Sequence, residues 1–126
     1  MDMKQTLISG LPELKLDLTQ AQTDTLCAFG QAVIDQNQVM NLTAITEPQQ
    51  VAKLHLLDSL TVLSALDLRG KSLIDVGCGA GFPGVPLAIA SPQTQVTLLD
   101  SLGKRVNWLK EILPQLGVSA QCVTAR

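Results

Sequence analysis

Apolar side chains recur at helical spacing in the first part of the chain. Leu26, Phe29 and Val33 lie three and four positions apart, which places them on one face of an amphipathic helix. Just before them, Thr19 and Gln22 have the T-x-x-Q spacing of a capping box, in which each side chain accepts a hydrogen bond from the other residue's backbone amide. The pattern predicts a helix that begins next to Thr19.

A second helix is predicted after NLTAI (residues 41–45), which is expected to be a loop. Pro48 suits the first turn of a helix, where the missing backbone amide would have no partner. The helix is expected to end around Gly70, in the sequence LRGK. Its predicted inner face consists of Val51, Leu54, Leu57 and Leu63.

After Gly70 the pattern changes to short apolar runs, of the kind found in strands that are buried on both faces. Helical stretches separate these runs. The resulting order, β-α-β-α-β, is typical of a parallel, doubly wound sheet. The predicted elements are SLIDV (72–76), GVPLAIA (84–90), QVTLLD (95–100), GKRVNWLKEIL (103–113) and SAQCVTA (119–125).

The expected fold class is therefore α/β, with N-terminal helices followed by the first part of a doubly wound, Rossmann-like sheet. We expect residues 1–70 to form a helical segment that packs on the sheet, and residues 71–126 to form the first half of the ligand-binding domain. A complete doubly wound sheet normally has about five or more strands. The chain is therefore expected to be truncated within that domain.

Composition narrows the class of protein. The chain has 126 residues, of which 46% are hydrophobic, and a net charge of −2. It has neither an apolar run of about 18 residues nor the start of a secretory signal, so we expect a soluble, cytoplasmic protein without a membrane partner. The three cysteines lack metal-ligand spacing, and no metal site is expected. Low positive charge and few aromatic residues give no support for binding nucleic acid.

Cys78 and Trp108 each allow two interpretations. Cys78 lies between two glycines and could be a reactive thiol at a helix N-terminus. A small residue in a tight turn is favoured, because no second cysteine or histidine completes a local pattern. Trp108 could stack on a nucleic-acid base, but a position in the core is favoured.

A glycine-rich stretch, LIDVGCGAGFPG (residues 73–84), follows the first predicted strand. Glycine lets a ligand approach the backbone closely. Gly79, Gly81 and Gly84 form the G-x-G-x-x-G fingerprint of dinucleotide-binding proteins, and Asp100 follows about 20 residues later, where an acid that binds ribose is expected. An NAD-type oxidoreductase is one interpretation, and a glycine turn without a ligand is another.

The same stretch fits the first motif of S-adenosylmethionine-dependent methyltransferases, D-x-G-x-G-x-G, with Asp75, Gly77, Gly79 and Gly81. The charge of Asp75 favours this motif, because a carboxylate just before the loop opposes the negative charge of a pyrophosphate. The methionine part of S-adenosylmethionine carries an ammonium and a sulfonium, which the carboxylate attracts.

Four segments taken together resemble one family, the RsmG/GidB small-subunit ribosomal RNA guanine-N7 methyltransferases. The resemblance extends from about Leu18 to Arg126. One departure is Gln36, which stands where the family often has a tryptophan. The four segments are NLTAI (41–45), HLLDSL (55–60), DVGCGAGFPGVPLAI (75–89) and LLDSLGKRVNWL (98–109).

The resemblance implies S-adenosyl-L-methionine as the cofactor and 16S ribosomal RNA or the small ribosomal subunit as the partner. Gly77 and Phe82 match positions that contact the cofactor, and Asp100 matches the acid that holds its ribose. Further cofactor contacts of the family would follow Arg126, so a catalytically incompetent fragment is an alternative. The expected cofactor-binding residues are Asp75, Gly77, Gly79, Gly81, Phe82 and Asp100.

On the substrate side, the expected residues are His55, Lys104 and Arg105. Lys104 and Arg105 belong to a basic cluster that is either a solvated face or a phosphate contact. His55 and Asp58 lie three apart and share a helix face; they either form a general base or tie the N-terminal helices to the glycine loop, which is favoured. No catalytic residue is assigned, because guanine N7 has a free lone pair and the reaction depends on in-line placement.

Overall fold

The computed structural model describes residues 2–126. Three helices precede the sheet, and a short 3-10 turn, Pro12–Leu14, joins the first two. Helix α3 changes its hydrogen-bond pattern twice along its length, because a π-helical turn interrupts the α-helix. The helices are α1 (Met3–Gly10), α2 (Gln20–Gln36) and α3, which consists of Pro48–Val51, the π-helical turn Ala52–Leu57 and Asp58–Ala65.

Helices α1 and α2 both begin with a capping box. In α2 the amide of Gln22 donates to Thr19 Oγ1 at 3.1 Å and the amide of Thr19 donates to Gln22 Oε1 at 2.8 Å, which confirms the predicted start. Asp2 and Gln5 make the same pair of hydrogen bonds at the start of α1. Helix α1 is absent from the prediction, although this D-x-x-Q spacing is visible in the sequence.

The predicted inner face of α3 is partly wrong. Val51 is fully buried as expected, but Leu54 is 52% exposed, and Leu56 and Leu60 are fully buried in its place. The π-helical turn Ala52–Leu57 begins directly after Val51 and includes Leu54. A π-helical turn has more residues per turn than an α-helix, so Leu54 lies further around the helix from Val51 than α-helical spacing predicts.

Helix α3 also ends earlier than predicted. Its last residue is Ala65, and Leu66 has extended backbone angles (φ −134°, ψ 138°). The segment up to Gly70 instead attaches the chain to the sheet, where Thr94 Oγ1 donates a hydrogen bond to the carbonyl of the buried Leu68 at 2.8 Å.

The second half forms a parallel sheet of three strands in the order β1-β2-β3. Helical crossovers connect the strands, which confirms the α/β fold class and the predicted β-α-β-α-β order. Helix α5 continues through Pro114 to Gln115, slightly past its predicted end. The elements are β1 (Ser72–Val76), α4 (Gly84–Ala90), β2 (Gln95–Asp100), α5 (Gly103–Gln115) and β3 (Gln121–Thr124).

The prediction that the strands are buried on both faces is wrong for β1. Ile74 is 62% exposed and Val76 is 75% exposed. Val76 is in register with Leu99, and Leu99 with Val123, so these side chains lie on the same face, which we call the open face. With strands in sequential order and right-handed crossovers, α4 and α5 both cover the opposite face.

One cluster of buried side chains connects the helical half with the sheet. Phe29 of α2 and Leu56 of α3 belong to the same cluster as Leu98 of β2. The division into residues 1–70 and 71–126 stays a prediction.

Two absences apply to the described residues 2–126. No helix there is long and apolar enough to cross a membrane, and no group of three or more His, Cys, Asp or Glu side chains has the arrangement of a metal site. The three cysteines are free thiols.

Candidate functional site

Asp75 and Asp100 lie at the same edge of the sheet. Asp75 is the penultimate residue of β1 and Asp100 is the last residue of β2. The strands are parallel and in register, with Val76 opposite Leu99, so both carboxylates are near the carboxyl ends of neighbouring strands. The glycine loop, residues 77–83, starts at this edge, which is where ligands bind in open α/β sheets.

The carboxylate of Asp75 connects β1 with the start of α4. The amide of Gly84 donates to Asp75 Oδ2 at 2.9 Å. The pKa of Asp75 is raised by burial and by the negative charge of Asp100, against the effect of the Gly84 hydrogen bond. A positively charged ligand at this edge would therefore relieve an existing electrostatic strain on Asp75.

Asp100 is held by several groups of the protein and is only 5% exposed. Its Oδ2 accepts a hydrogen bond from the amide of Gly79 at 2.8 Å, and its Oδ1 accepts one from the amide of Leu102 at 2.9 Å. Burial opposes ionisation, but these hydrogen bonds and the nearby Arg105 together lower the pKa of Asp100. The carboxylate is therefore charged and fixed in position.

The glycines of the loop have two different roles. Gly77 (φ +71°) and Gly79 (φ +56°) have the left-handed backbone that favours glycine, and a Cβ on either would face open space. At Gly81 a Cβ would lie 2.9 Å from Val85 Cγ2 and 3.0 Å from Phe29 Cζ. Gly77 and Gly79 thus leave the surface approachable, whereas Gly81 allows close packing beneath it.

The aromatic ring of Phe82 is stacked on the ring of His55. The ring centroids are 4.4 Å apart and the planes differ by 6°. His55 Nε2 lies 2.8 Å from Thr43 Oγ1, whereas Asp58 is exposed. Burial lowers the pKa of His55, while the charge of Asp58 raises it to a smaller extent. This arrangement supports a tie between the helices and the glycine loop more than a general base.

Lys104 and Arg105 are neighbours in sequence but have different surroundings. Lys104 is exposed. The half-buried Arg105 places Nη1 3.9 Å from Asp100 Oδ2 and donates from Nη2 to the carbonyl of Asn41 at 3.4 Å. Arg105 therefore connects Asn41, in the loop before α3, with Asp100. Asn41 and Arg105 are 64 positions apart in the chain, so no local sequence pattern reveals their contact.

Cys78 and Trp108 are both buried, as the favoured interpretation of each residue predicts. Cys78 is 3% exposed, and burial, together with the charges of Asp75 and Asp100, raises its pKa to about 12. Trp108 is buried and packs on Phe29, with ring centroids 6.1 Å apart. The described structure thus gives neither a reactive thiol at Cys78 nor a stacking surface at Trp108.

Four cavities of about 270 to 530 Å³ lie on the described part of the chain, and the glycine loop, residues 77–83, lines none of these four. The cavity of about 530 Å³ lies beside β1 and β2 and includes Ile74 and Thr97 of the open face.

Fold and site together define a class of protein. A parallel sheet with a glycine turn after its first strand and an acid near the end of each of its first two strands is the ligand-binding half of a nucleotide-binding α/β domain. A family model described as rRNA small subunit methyltransferase G (GidB) matches residues 22–126. The chain belongs to this family, which confirms the resemblance noted in its sequence.

Individual relatives match over most of the chain. The ribosomal RNA small subunit methyltransferase G of Desulforamulus reducens is 43% identical over 122 residues, which are 96% of this chain and 51% of the relative. The protein of the same name from Lachnoclostridium phytofermentans is 45% identical over 88% of this chain and 46% of the relative. The protein of the same name from Haemophilus ducreyi is 42% identical over 93% of this chain and 57% of the relative. The chain spans about half the length of the curated relatives it matches.

Proposed function

We propose that this chain is the cofactor-binding half of an S-adenosyl-L-methionine-dependent methyltransferase that modifies N7 of a guanine in small-subunit (16S) ribosomal RNA. Its partner would be that RNA or the small ribosomal subunit, in the cytoplasm. The proposal rests on one observation above all: Asp75, Asp100 and the glycine loop lie together at the carboxyl edge of the sheet in a member of this family.

The residues at this edge fit the proposed cofactor in charge and in shape. S-adenosylmethionine carries an ammonium and a sulfonium, and the two carboxylates supply the opposite charge. Gly77 and Gly79 leave open space above the backbone, and Phe82 adds an aromatic surface beside them. The proposed half-site consists of Asp75, Gly77, Gly79, Gly81, Phe82 and Asp100.

The reaction needs placement more than proton transfer. Guanine N7 has an in-plane lone pair and carries no proton, so no general base is required. When bound, the cofactor supplies a methyl group on a sulfonium, which is a good leaving group. The task of this chain is to hold the cofactor so that methyl carbon and N7 can align, and correct alignment accounts for much of the rate in such reactions.

For the RNA side, the structure favours Lys104 over the other predicted residues. Lys104 is exposed and could contact a phosphate, whose neutralisation would make binding depend on salt. Arg105 and His55 are engaged with Asp100 and Phe82, so we propose that they support the site instead of contacting RNA directly.

A second candidate is a fragment that binds cofactor weakly and is inactive by itself. It is favoured by the open face, on which Ile74 is 62% and Val76 75% exposed. An NAD-type oxidoreductase is not proposed, because the carboxylate of Asp75 repels a pyrophosphate and the chain belongs to a methyltransferase family.

Methyl transfer to small-subunit RNA tests the proposal. The full-length protein and the 126-residue chain are each incubated with S-adenosylmethionine and RNA that lacks the modification, and N7-methylguanine is measured by mass spectrometry. We expect product from the full-length protein. Product from neither form would contradict the proposed reaction, whereas product from the full-length protein alone would assign the inactive fragment to this chain.

A further inference from the structure

His55 connects the helical half of the chain with the glycine loop. Its ring lies parallel to the ring of Phe82 at 4.4 Å, and Phe82 contacts Phe29 of α2 edge to face at 5.5 Å. Aromatic pairs with such separations are stabilised beyond the area they bury. The rings of His55 and Phe29 therefore both contact Phe82 and help to position the backbone of residues 81–83.

The imidazole ring of His55 is also held by the loop that follows α2. Its Nε2 lies 2.8 Å from Thr43 Oγ1, and that hydroxyl accepts a hydrogen bond from the amide of Ile45 at 3.0 Å. Asn37 Oδ1 accepts hydrogen bonds from the amides of Leu42 and Thr43 at 2.8 and 2.9 Å. A fixed loop after α2 thus orients the His55 ring.

The backbone beneath His55 provides a second, independent observation. His55 lies within the π-helical turn Ala52–Leu57 of α3. Such turns are rare, and they occur often at functional sites because they redirect side chains that a regular helix would place elsewhere. In α3 the turn coincides with the one histidine of the chain and with the residue that contacts the glycine loop.

We propose that His55 is a positioning residue that acts through its ring: by stacking on Phe82 it holds the glycine loop in the shape that binds the cofactor. The proposal deepens the proposed function and rests on it for the identity of the ligand. It assigns His55 neither a proton transfer nor a contact with RNA.

Two variants of His55 distinguish the effect of its ring from the effect of its hydrogen bond to Thr43. His55→Phe keeps a planar ring over Phe82 but loses the bond to Thr43. His55→Gln keeps a polar group but has no ring. Leu54→Ala is the matched control, because Leu54 lies in the same π-helical turn and points to solvent, with 52% exposed.

The first readout is independent of the cofactor. Cys78 is buried in the loop and becomes the only thiol when Cys27 and Cys122 are replaced by alanine. Its rate of reaction with a soluble disulfide reagent then reports how often the loop opens. We expect His55→Gln to raise this rate at least tenfold, and His55→Phe and Leu54→Ala to stay within about threefold of the parent.

The second readout is the affinity of the full-length protein for S-adenosylmethionine, measured by calorimetry together with the melting temperature. We expect the affinity to fall about tenfold in His55→Gln and to be restored in His55→Phe. If His55→Phe is as impaired as His55→Gln in both readouts, an aromatic ring over Phe82 does not hold the loop, and the proposal is wrong. If the thiol result is as expected but the parent protein binds no S-adenosylmethionine, the proposed function fails while the control of the loop by His55 stands.

Discussion

The amide of Gly79 donates a hydrogen bond of 2.8 Å to Oδ2 of Asp100, which joins the glycine loop to the end of β2. The other carboxylate oxygen accepts a hydrogen bond from the amide of Leu102, just before α5. One side chain therefore fixes two backbone segments. In the proposed complex, ribose hydroxyls would meet an acid that the protein already holds in place, and such preorganisation lowers the entropy lost on binding.

This role of Asp100 predicts a pH-dependent loss of stability in Asp100→Asn. We expect the free energy of unfolding to fall by about 1–3 kcal/mol at pH 7, because an amide has a single acceptor oxygen for these backbone donors. The pKa of Asp100 is lowered in the folded chain, so its stabilisation is complete above the ordinary carboxyl range near pH 4 and is lost as the pH falls through the lowered pKa.

Urea denaturation at pH 7 and at pH 3 measures this effect. The control is Asp24→Asn, which removes an exposed ion pair with Lys4 and should change stability by less than about 1 kcal/mol. A loss for Asp100→Asn that is equally large at both pH values would show that the charge of Asp100 is not responsible.

The first residues of α4 and α5 are both glycine, and the structure predicts opposite responses to alanine. At Gly84 a Cβ would lie 2.9 Å from Asp75 Oδ2 and would also collide with the side chain of Leu98. At Gly103 it would meet no atom within 4 Å. We expect Gly84→Ala to cost about 1–3 kcal/mol, the range for overpacking, and Gly103→Ala to cost nothing or to stabilise the chain slightly. Equal unfolding midpoints in urea would contradict this packing.

The thiols should differ in reactivity. Cys78 is 3% exposed and has a pKa of about 12, so it has almost no thiolate at neutral pH, and the thiolate is the reactive form. Cys27 and Cys122 are half-buried. We expect a soluble disulfide reagent to modify Cys27 and Cys122 quickly in the folded chain and Cys78 far more slowly, at a rate limited by opening of the glycine loop. Peptide mass mapping gives the order, and early modification of Cys78 would mean that the loop is open.

Because side chains on the open face of β1 are exposed, substitutions there should change the free energy of unfolding very little. In the 126-residue chain, Val76→Thr should change the free energy of unfolding by less than about 0.5 kcal/mol, as is usual for surface substitutions, because Val76 is 75% exposed. Leu98→Ala, on the covered face and fully buried, should cost about 2–5 kcal/mol. Urea denaturation compares the two, and similar losses would show that the open face is covered in solution.

Most of the fold follows from local patterns. The T-x-x-Q box predicts the start of α2, and the alternation of apolar runs with helical stretches predicts the order of strands and helices. The inner face of α3 was not predictable from spacing, because spacing assumes a regular α-helix and residues 52–57 form a π-helical turn. The exposure of Ile74 was missed for a different reason: an apolar run indicates a strand but does not say which of its faces the helices cover.

Part of the candidate site can likewise be predicted from the sequence, and part of it cannot. Once the strands are parallel, Asp75 and Asp100 must lie at one edge, so the sequence can predict their proximity. The contacts of Arg105 with Asp100 and of His55 with Phe82 depend on how the helices pack on the sheet. These contacts join residues that are distant in the chain or occur where the helix is irregular, and neither periodicity nor a short motif contains that information.

Whether the two carboxylates select a positively charged sulfur cofactor can be measured by calorimetric titration of the full-length protein with S-adenosylmethionine and with NAD. Asp75→Asn is the informative variant, because it removes the charge but keeps an acceptor oxygen for the Gly84 amide; Asp67→Asn, on an exposed turn, is the control. We expect the protein to bind S-adenosylmethionine and not NAD. Asp75→Asn should weaken binding of S-adenosylmethionine about tenfold or more, which corresponds to a loss of roughly 1.4 kcal/mol of binding free energy. Asp67→Asn should leave the affinity unchanged. Binding of NAD, or equal affinity of the parent and Asp75→Asn for S-adenosylmethionine, would contradict the assignment.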